Sequence, residues 1–425
     1  MTHDDPAALR ARALATLRIQ YPDTLAVSGM ASGGYRLLHP VSGEPYESDR
    51  HLVATCRGIA NFATGALLDG PAWCGDAAAH GVRFLEAEHR ADPDDPDAGY
   101  RLIVSPDGEP VDRTRSAYAH AFVLLALSRA ADAGVEAPDD EPVASEDVAA
   151  AADLLTDRFV EPNGLLASDR DAEWGEVEPY RGQNANMHAC EAYLAAHRAT
   201  GDTRYLDRAR TVAARLTVEL AAETDGLLWE HYDADWAHAF GYNADAPRHQ
   251  FRPPGYQPGH HAEWAKLLAL LDRRGAAVPD VDDAVRGAMT ATDWFERAAE
   301  LFDAAVDLGW TGAGFAYTVG RDGEVLVPDR YGWAVAEALG AAAALAERAR
   351  SRGRDPEADR FRDWHRRLLA TAERFRGPAG LWYEKRVPGE SAEREDEPVP
   401  PEPPGVEPDY HPVGAYAESY RSFRE

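Results

Sequence analysis

Two histidines stand where Pro/Gly-rich approaches end and apolar helical patterns begin. In FRPPGYQPGHHAEWAKLL (251–268), Pro258 and Gly259 close a loop. His260, Glu263, Trp264, Leu267 and Leu271 then share one stripe of the helix that follows. The positive end of a helix dipole disfavours an imidazolium. A histidine there is held neutral and can take a proton. Glu263, one turn on, can orient that ring or hold a substrate hydroxyl; the purely structural alternative is a capping His beside a dipole-friendly carboxylate. In YHPVGAYAESY (410–420), Pro412 suits the first helical position, which makes His411 the expected N-cap of the last helix. Two neutral imidazoles at helix starts suit a two-base proton transfer.

Three further stretches carry chemistry. In QNANMHACEAYL (183–194), Asn184, His188 and Glu191 fall on one helical stripe beside Met187, Cys190 and Leu194. A polar seam between packed helices would look the same. Arg57, in TCRGIANFATG, lies in an otherwise apolar helix and needs anionic or hydroxyl partners there. A structural ion pair would also satisfy it. In DRYGWAVAEAL, Trp333 and Glu337 share a face. Such a pair can hold a sugar's apolar face and its hydroxyls, or pack in a core.

The elements that must position these residues are helical. Apolar residues recur at three-and-four spacing over 5–20, 48–68, 73–90, 113–134, 145–160, 183–201, 202–220, 260–274, 290–309, 329–350, 356–375 and 411–421. That is about twelve helices. Between them, 34–45, 98–110, 226–236 and 314–326 read as small hairpins, with PDG and RDG as turn centres. The acidic, Pro-rich stretches 92–97, 137–142 and 389–408 read as exposed loops. About six helical hairpins fit an all-α fold, a closed (α/α)6 barrel in which residues 1–425 form one catalytic domain. An open solenoid of helix pairs fits the periodicity equally well.

Composition narrows the function. With 45% hydrophobic residues the chain can build a large core, and no apolar run is long enough to span a membrane. The opening MTHDDPAALR lacks a signal-peptide pattern, and Cys56, Cys74 and Cys190 form no CxxC pair. A reducing cytoplasm is the expected location. The net charge of −29 repels nucleic acid and anionic membranes. Lys266 and Lys385 are the only lysines; the rest of the 44 basic side chains are arginine. Acidic excess with so little lysine points to a protein that stays soluble in concentrated salt, and a halophilic source is expected. The arginine bias also fits a GC-rich genome. No HExxH, GxSxG, Walker A or GxGxxG motif is present. His260 and Glu263 could ligate a metal, but no second such pair stands out, so a metal is not expected.

RGQNANMHACEAYLAAHRATGDTRYLDRA (181–209), FRPPGYQPGHHAEWAKLL and DYHP resemble the signature blocks of the N-acylglucosamine 2-epimerase family. With VPDRYGWAVAEAL between the last two, their order matches over roughly 50 to 420. EHYDADW followed by FRPPGYQPGHHAEW is most similar to the D-mannose isomerase branch. The resemblance implies an (α/α)6 barrel that acts on ring-opened aldoses without cofactor or metal. It implies His260 and His411 as the acid/base pair acting through a cis-enediol. It further implies His188 for ring opening, Arg57 for enediolate charge and Glu263 for support and hydroxyl contacts. It implies Tyr118, Asn184 and Trp333 as sugar-contacting residues; Glu337, sharing a helix face with Trp333, is the fourth expected sugar-binding residue. The sequence departs from the pattern at Val53, where a tryptophan is common, and at Glu407, where a carboxylate disfavours phosphorylated or sulfonated sugars. The expected reaction interconverts D-mannose, or a relative such as D-lyxose, with its ketose. The alternatives are a 2-epimerase of glucose-, cellobiose- or N-acylglucosamine-type sugars, a glycoside hydrolase using Glu263 and Glu337, and a non-catalytic sugar-binding protein. The expected partner is a monosaccharide; a homo-oligomer is allowed, and the sequence does not fix it.

Overall fold

The computed structural model describes residues 5–21, 34–136, 141–275, 287, 292–389, 396–403, 405–406 and 409–424. Glu407 lies outside them. Twelve α-helices are present among the described residues: α1 (Pro6–Gln20), α2 (Leu52–Leu67), α3 (Trp73–Phe84), α4 (Ala117–Asp132), α5 (Ser145–Phe159), α6 (Gln183–Thr200), α7 (Thr203–Ala214), α8 (Pro258–Arg273), α9 (Trp294–Gly309), α10 (Gly332–Ser351), α11 (Asp355–Ala372) and α12 (Tyr410–Phe423). The expected helices over 73–90 and 202–220 continue past α3 and α7 as π-helical turns, Leu85–His89 and Arg215–Leu220.

Six helices form a closed inner ring, α2–α4–α6–α8–α10–α12, with α12 returning to α2. Each packs against one outer helix: α2 with α3, α4 with α5, α6 with α7, α8 with α9 and α10 with α11. The ring is completed by α1, the outer partner of α12, so the first helix clasps the last. This is the (α/α)6 barrel. Closure excludes the open solenoid.

The two rings differ because their sequences do. An outer helix needs one apolar stripe, and α9 has it: Phe295, Ala298, Leu301, Phe302 and Ala305 are buried at three-and-four spacing. An inner helix is covered all round, as α10 is; Ala341 to Ala346 are all buried. Small side chains let the inner helices approach closely.

Short antiparallel strands sit on the connections. Arg50–His51 pairs with Ile103–Val104, which pairs with Pro110–Asp112; Arg181–Gly182 pairs with His231–Tyr232. Thr318–Val319 pairs with Val325–Val327, and Arg330–Tyr331 with Lys385–Val387. Three of these strands run directly into inner helices and fix their entry: Arg50–His51 into α2, Arg181–Gly182 into α6 and Arg330–Tyr331 into α10. Among the described residues, no helix is long and apolar enough to cross a membrane.

Candidate active site

The first two turns of all six inner helices meet at one end of the barrel. Around one cavity lie Arg57 from α2, Tyr118 from α4, Asn184 and His188 from α6, His260 and Glu263 from α8, Trp333 from α10 and His411 from α12. Phe251, Gln257, Tyr317, Tyr331, Trp382 and Glu384 close the mouth. Six helix N-termini pointed at one space give it a positive potential, which favours anionic oxygen there. Glu337 is placed differently. It is buried behind His411 and does not line the cavity.

Each of the two proposed acid/base imidazoles is held from behind by a buried carboxylate. His260 Nδ1 lies 2.9 Å from Glu230 Oε2, and Gln183 Nε2 donates to the same oxygen at 2.9 Å. The Trp264 indole fixes the amide by donating to Gln183 Oε1 at 2.8 Å. Burial alone would raise the Glu230 carboxyl, but His260 and Gln183 outweigh it and hold it below the usual range. Gln183 Nε2 also lies 2.7 Å from His260 Nδ1, but an ionised carboxylate only accepts; with Glu230 Oε2 accepting from both the amide and the ring, Nδ1 carries the hydrogen. Nε2 of His260 then has no partner among the described residues and is the nitrogen that can take a proton. His411 repeats the device: Nδ1 is 2.7 Å from Glu337 Oε1, and Lys266 pairs with the other oxygen. His411 Nε2 is 3.3 Å from Arg57 Nη2, which also donates to the Tyr118 hydroxyl at 3.2 Å.

Three expectations change. Glu263 does not orient His260; Glu230, thirty residues earlier on a connecting strand piece, does. His411 is not the N-cap of α12. Asp409 holds that place with φ of 52° in the left-handed region, which starts the helix at Tyr410. A second His-x-x-Glu pair is present after all: His188 and Glu191 form one on α6. His188, Glu191 and Glu263 offer ligand atoms within 4.8 Å of one another, as do Glu263, Glu337 and His411. The Lys266 ammonium already supplies a cation to these carboxylates.

The third histidine is a neutral group. Burial pushes His188 down to about 4, against the pull of Glu191 Oε2 at 3.1 Å from its Nδ1. Glu263 goes the other way: burial, then the neighbouring Glu337 and Glu191, raise its carboxyl well above the usual range. That direction favours the protonated form, which can donate. Its Oε1 and the Asn184 Oδ1 are buried with no hydrogen-bond partner among the described residues. Buried polar atoms seek partners, and both belong to side chains on the cavity wall.

Trp333 lies between the two imidazoles, its ring centroid 5.0 Å from that of His260 and 5.9 Å from that of His411. Gly259 makes room for it. A Cβ at 259 would stand 2.5 Å from two ring carbons of Trp333. We therefore expect Gly259→Ala to displace Trp333, destabilise the fold by about 1–3 kcal/mol and raise the KM for sugar. Thermal unfolding and steady-state kinetics read both effects.

Sequence reasoning missed Glu230 and Gln183, and gave no role to Lys266. Glu230 carried no local signal, because its partner is reached only through the fold. Lys266 did carry one: it is a rare lysine in an apolar helix of an arginine-dominated chain.

Comparison with known proteins places the chain and its fold. The profile of the N-acylglucosamine 2-epimerase (GlcNAc 2-epimerase) family matches residues 33–415. A D-mannose isomerase of Marinomonas mediterranea is 36% identical over 316 residues, 73% of this chain and 74% of its own length. One from Thermobifida fusca is 38% identical over 331 residues, 76% of this chain and 74% of its own. A crystal structure of D-mannose isomerase superposes with a TM-score of 0.82 at 30% identity, covering 99% of each chain. The chain belongs to the N-acylglucosamine 2-epimerase family.

Proposed function

We infer that the protein is a sugar isomerase that interconverts D-mannose, or a close aldose such as D-lyxose, with the corresponding ketose. One observation carries the reading: two imidazoles, each with Nδ1 tied to a buried carboxylate, flank one tryptophan at the mouth of the barrel. The similarity to D-mannose isomerases over three-quarters of the chain supports the choice of sugar.

In this reading the ring-closed sugar enters over Trp333. Glu263, as a neutral acid, and His188, as a neutral imidazole, serve the ring oxygen and the anomeric hydroxyl during opening. One of the pair His260 and His411 removes the C2 proton of the open aldose. Charge moves onto the carbonyl oxygen, giving a cis-enediolate. Arg57 stands ready for that charge, held beside His411 and Tyr118. A proton passes from O2 to O1, delivery of a solvent-exchanged proton to C1 then gives the ketose, and the two imidazoles exchange roles with the direction of reaction. Return to C2 on the opposite face would give the epimer. Chromatography of the products tests the reading: fructose from D-mannose is expected, while glucose without fructose would replace it with a 2-epimerase.

The finer setting is the cytoplasm of a salt-accumulating cell. The charge of −29 supports it, as do the three cysteines, all free and buried. At about 1 M salt the Debye length is about 3 Å, so carboxylate repulsion is screened. Dilution from concentrated KCl into dilute buffer is expected to lower the melting temperature by several degrees, read by calorimetry. An unchanged melting temperature would remove the halophilic reading.

A further inference from the structure

We propose that Lys266 is a positioning residue for this isomerisation, acting on His411 through Glu337. The proposal rests on the isomerase reading above and deepens it.

Lys266 does not line the catalytic cavity. It is buried one turn beyond Glu263 on α8, and its ammonium pairs with Glu337 Oε2. The other oxygen, Oε1, accepts from His411 Nδ1 at 2.7 Å. One cation thus sits two side chains away from the nitrogen that faces Arg57. The chain has many arginines and two lysines, and it spends one lysine here. An ammonium is a compact point charge, whereas a guanidinium is a planar fork that needs room.

What the ammonium does follows from its neighbours. Glu337, from α10, faces Lys266 and Glu263 of α8, Glu191 of α6 and His411 of α12. Burial favours a neutral Glu337, and Glu191 pushes the same way; Lys266 and His411 outweigh both and hold it ionised. Glu191 is separately tied to His188 and to the Tyr410 hydroxyl, the latter at 2.7 Å. Without Lys266, Glu337 would take up a proton more readily. A protonated carboxyl presents O–H to Nδ1, and His411 would then carry its hydrogen on Nε2. In that tautomer it cannot take a proton from sugar. A merely structural lysine would neutralise carboxylates without setting the tautomer.

The test uses Lys266→Met, which keeps the stem and removes the charge, and Lys266→Arg, which keeps the charge. For Lys266→Met, kcat is expected to fall about 100-fold with KM little changed. The acid limb of kcat/KM should move to higher pH, because the group that must be ionised is no longer held so. Lys266→Arg should restore kcat to within about tenfold of the wild type. Nitrogen-15 spectra of labelled histidine, recorded without sugar, should show His411 changing from Nδ1–H to Nε2–H in Lys266→Met. If Lys266→Met does not fold, Lys266→Met/Glu337→Gln removes both buried charges together, and its kcat should match that of Glu337→Gln within a few-fold. A folded Lys266→Met with wild-type kcat, pH profile and tautomer would overturn the proposal. So would a double variant far slower than Glu337→Gln. Wild type inert on every aldose would overturn the isomerase reading instead, while the tautomer spectra would still decide the role of Lys266 on His411.

Discussion

Replacing His260 or His411 with asparagine is expected to lower kcat for mannose isomerisation by about 10²–10⁴-fold. Asparagine keeps a side-chain donor near Glu230 or Glu337 but supplies no base, so the fold should survive. His260 and His411 are both buried in the mouth, and each has a carboxylate placed to receive its Nδ1–H. The two variants need not be equal. His411 has the Arg57 guanidinium 3.3 Å from its Nε2, so its loss also frees the group placed to hold enediolate charge. Among the described residues, His260 has no such neighbour. Exchange of the C2 proton with solvent, followed separately from product formation, distinguishes them. The variant that loses exchange has lost the base acting on mannose. If both variants keep wild-type rates, the two-imidazole account is wrong.

Glu230→Gln should be nearly as damaging, although Glu230 does not line the cavity. The ionised carboxylate fixes the His260 tautomer and stabilises the imidazolium that forms when His260 accepts a proton. Glutamine keeps the size and can still accept one hydrogen bond, but it carries no charge. We expect kcat to fall about 100-fold or more, with KM changed little, since sugar contacts are untouched. The effect should be coupled to Gln183, which donates to the same oxygen at 2.9 Å and is itself held by Trp264. A double variant, Glu230→Gln with Gln183→Ala, should lose less than the sum of the separate losses. Full activity in Glu230→Gln would mean that His260 is not the proton acceptor.

Much of this was legible in the chain before the fold was known. Pro258, Gly259 and Pro412 marked helix starts, and His260, just after Gly259, and His411, just before Pro412, lie at one barrel end. The alternation of helices with turn-centred hairpins anticipated the connecting strands, such as Thr318–Val319 with Val325–Val327. What stayed hidden has a physical cause. Periodicity locates a residue on its own helix but not across the barrel, so Glu337 looked like a partner of Trp333 when it faces His411 and Lys266. Glu230 sits on a strand piece beside His231, where neither spacing nor hydropathy marks it. The upward shift of the Glu263 carboxyl arises from burial first, then from Glu337 and Glu191 on two other helices, and no local pattern could reveal it. The exact start of α12 depended on a left-handed Asp409, which proline placement alone did not disclose.

The imidazoles are expected to move a proton between C2 and C1 of an open aldose. Proton NMR of D-mannose with the protein in D2O and concentrated KCl follows that transfer. Fructose carrying deuterium at C1 is expected, with deuterium also entering C2 of the remaining mannose. Fructose that forms while keeping all of its C2-derived hydrogen would contradict it, because that hydrogen would have crossed without passing through a base open to solvent.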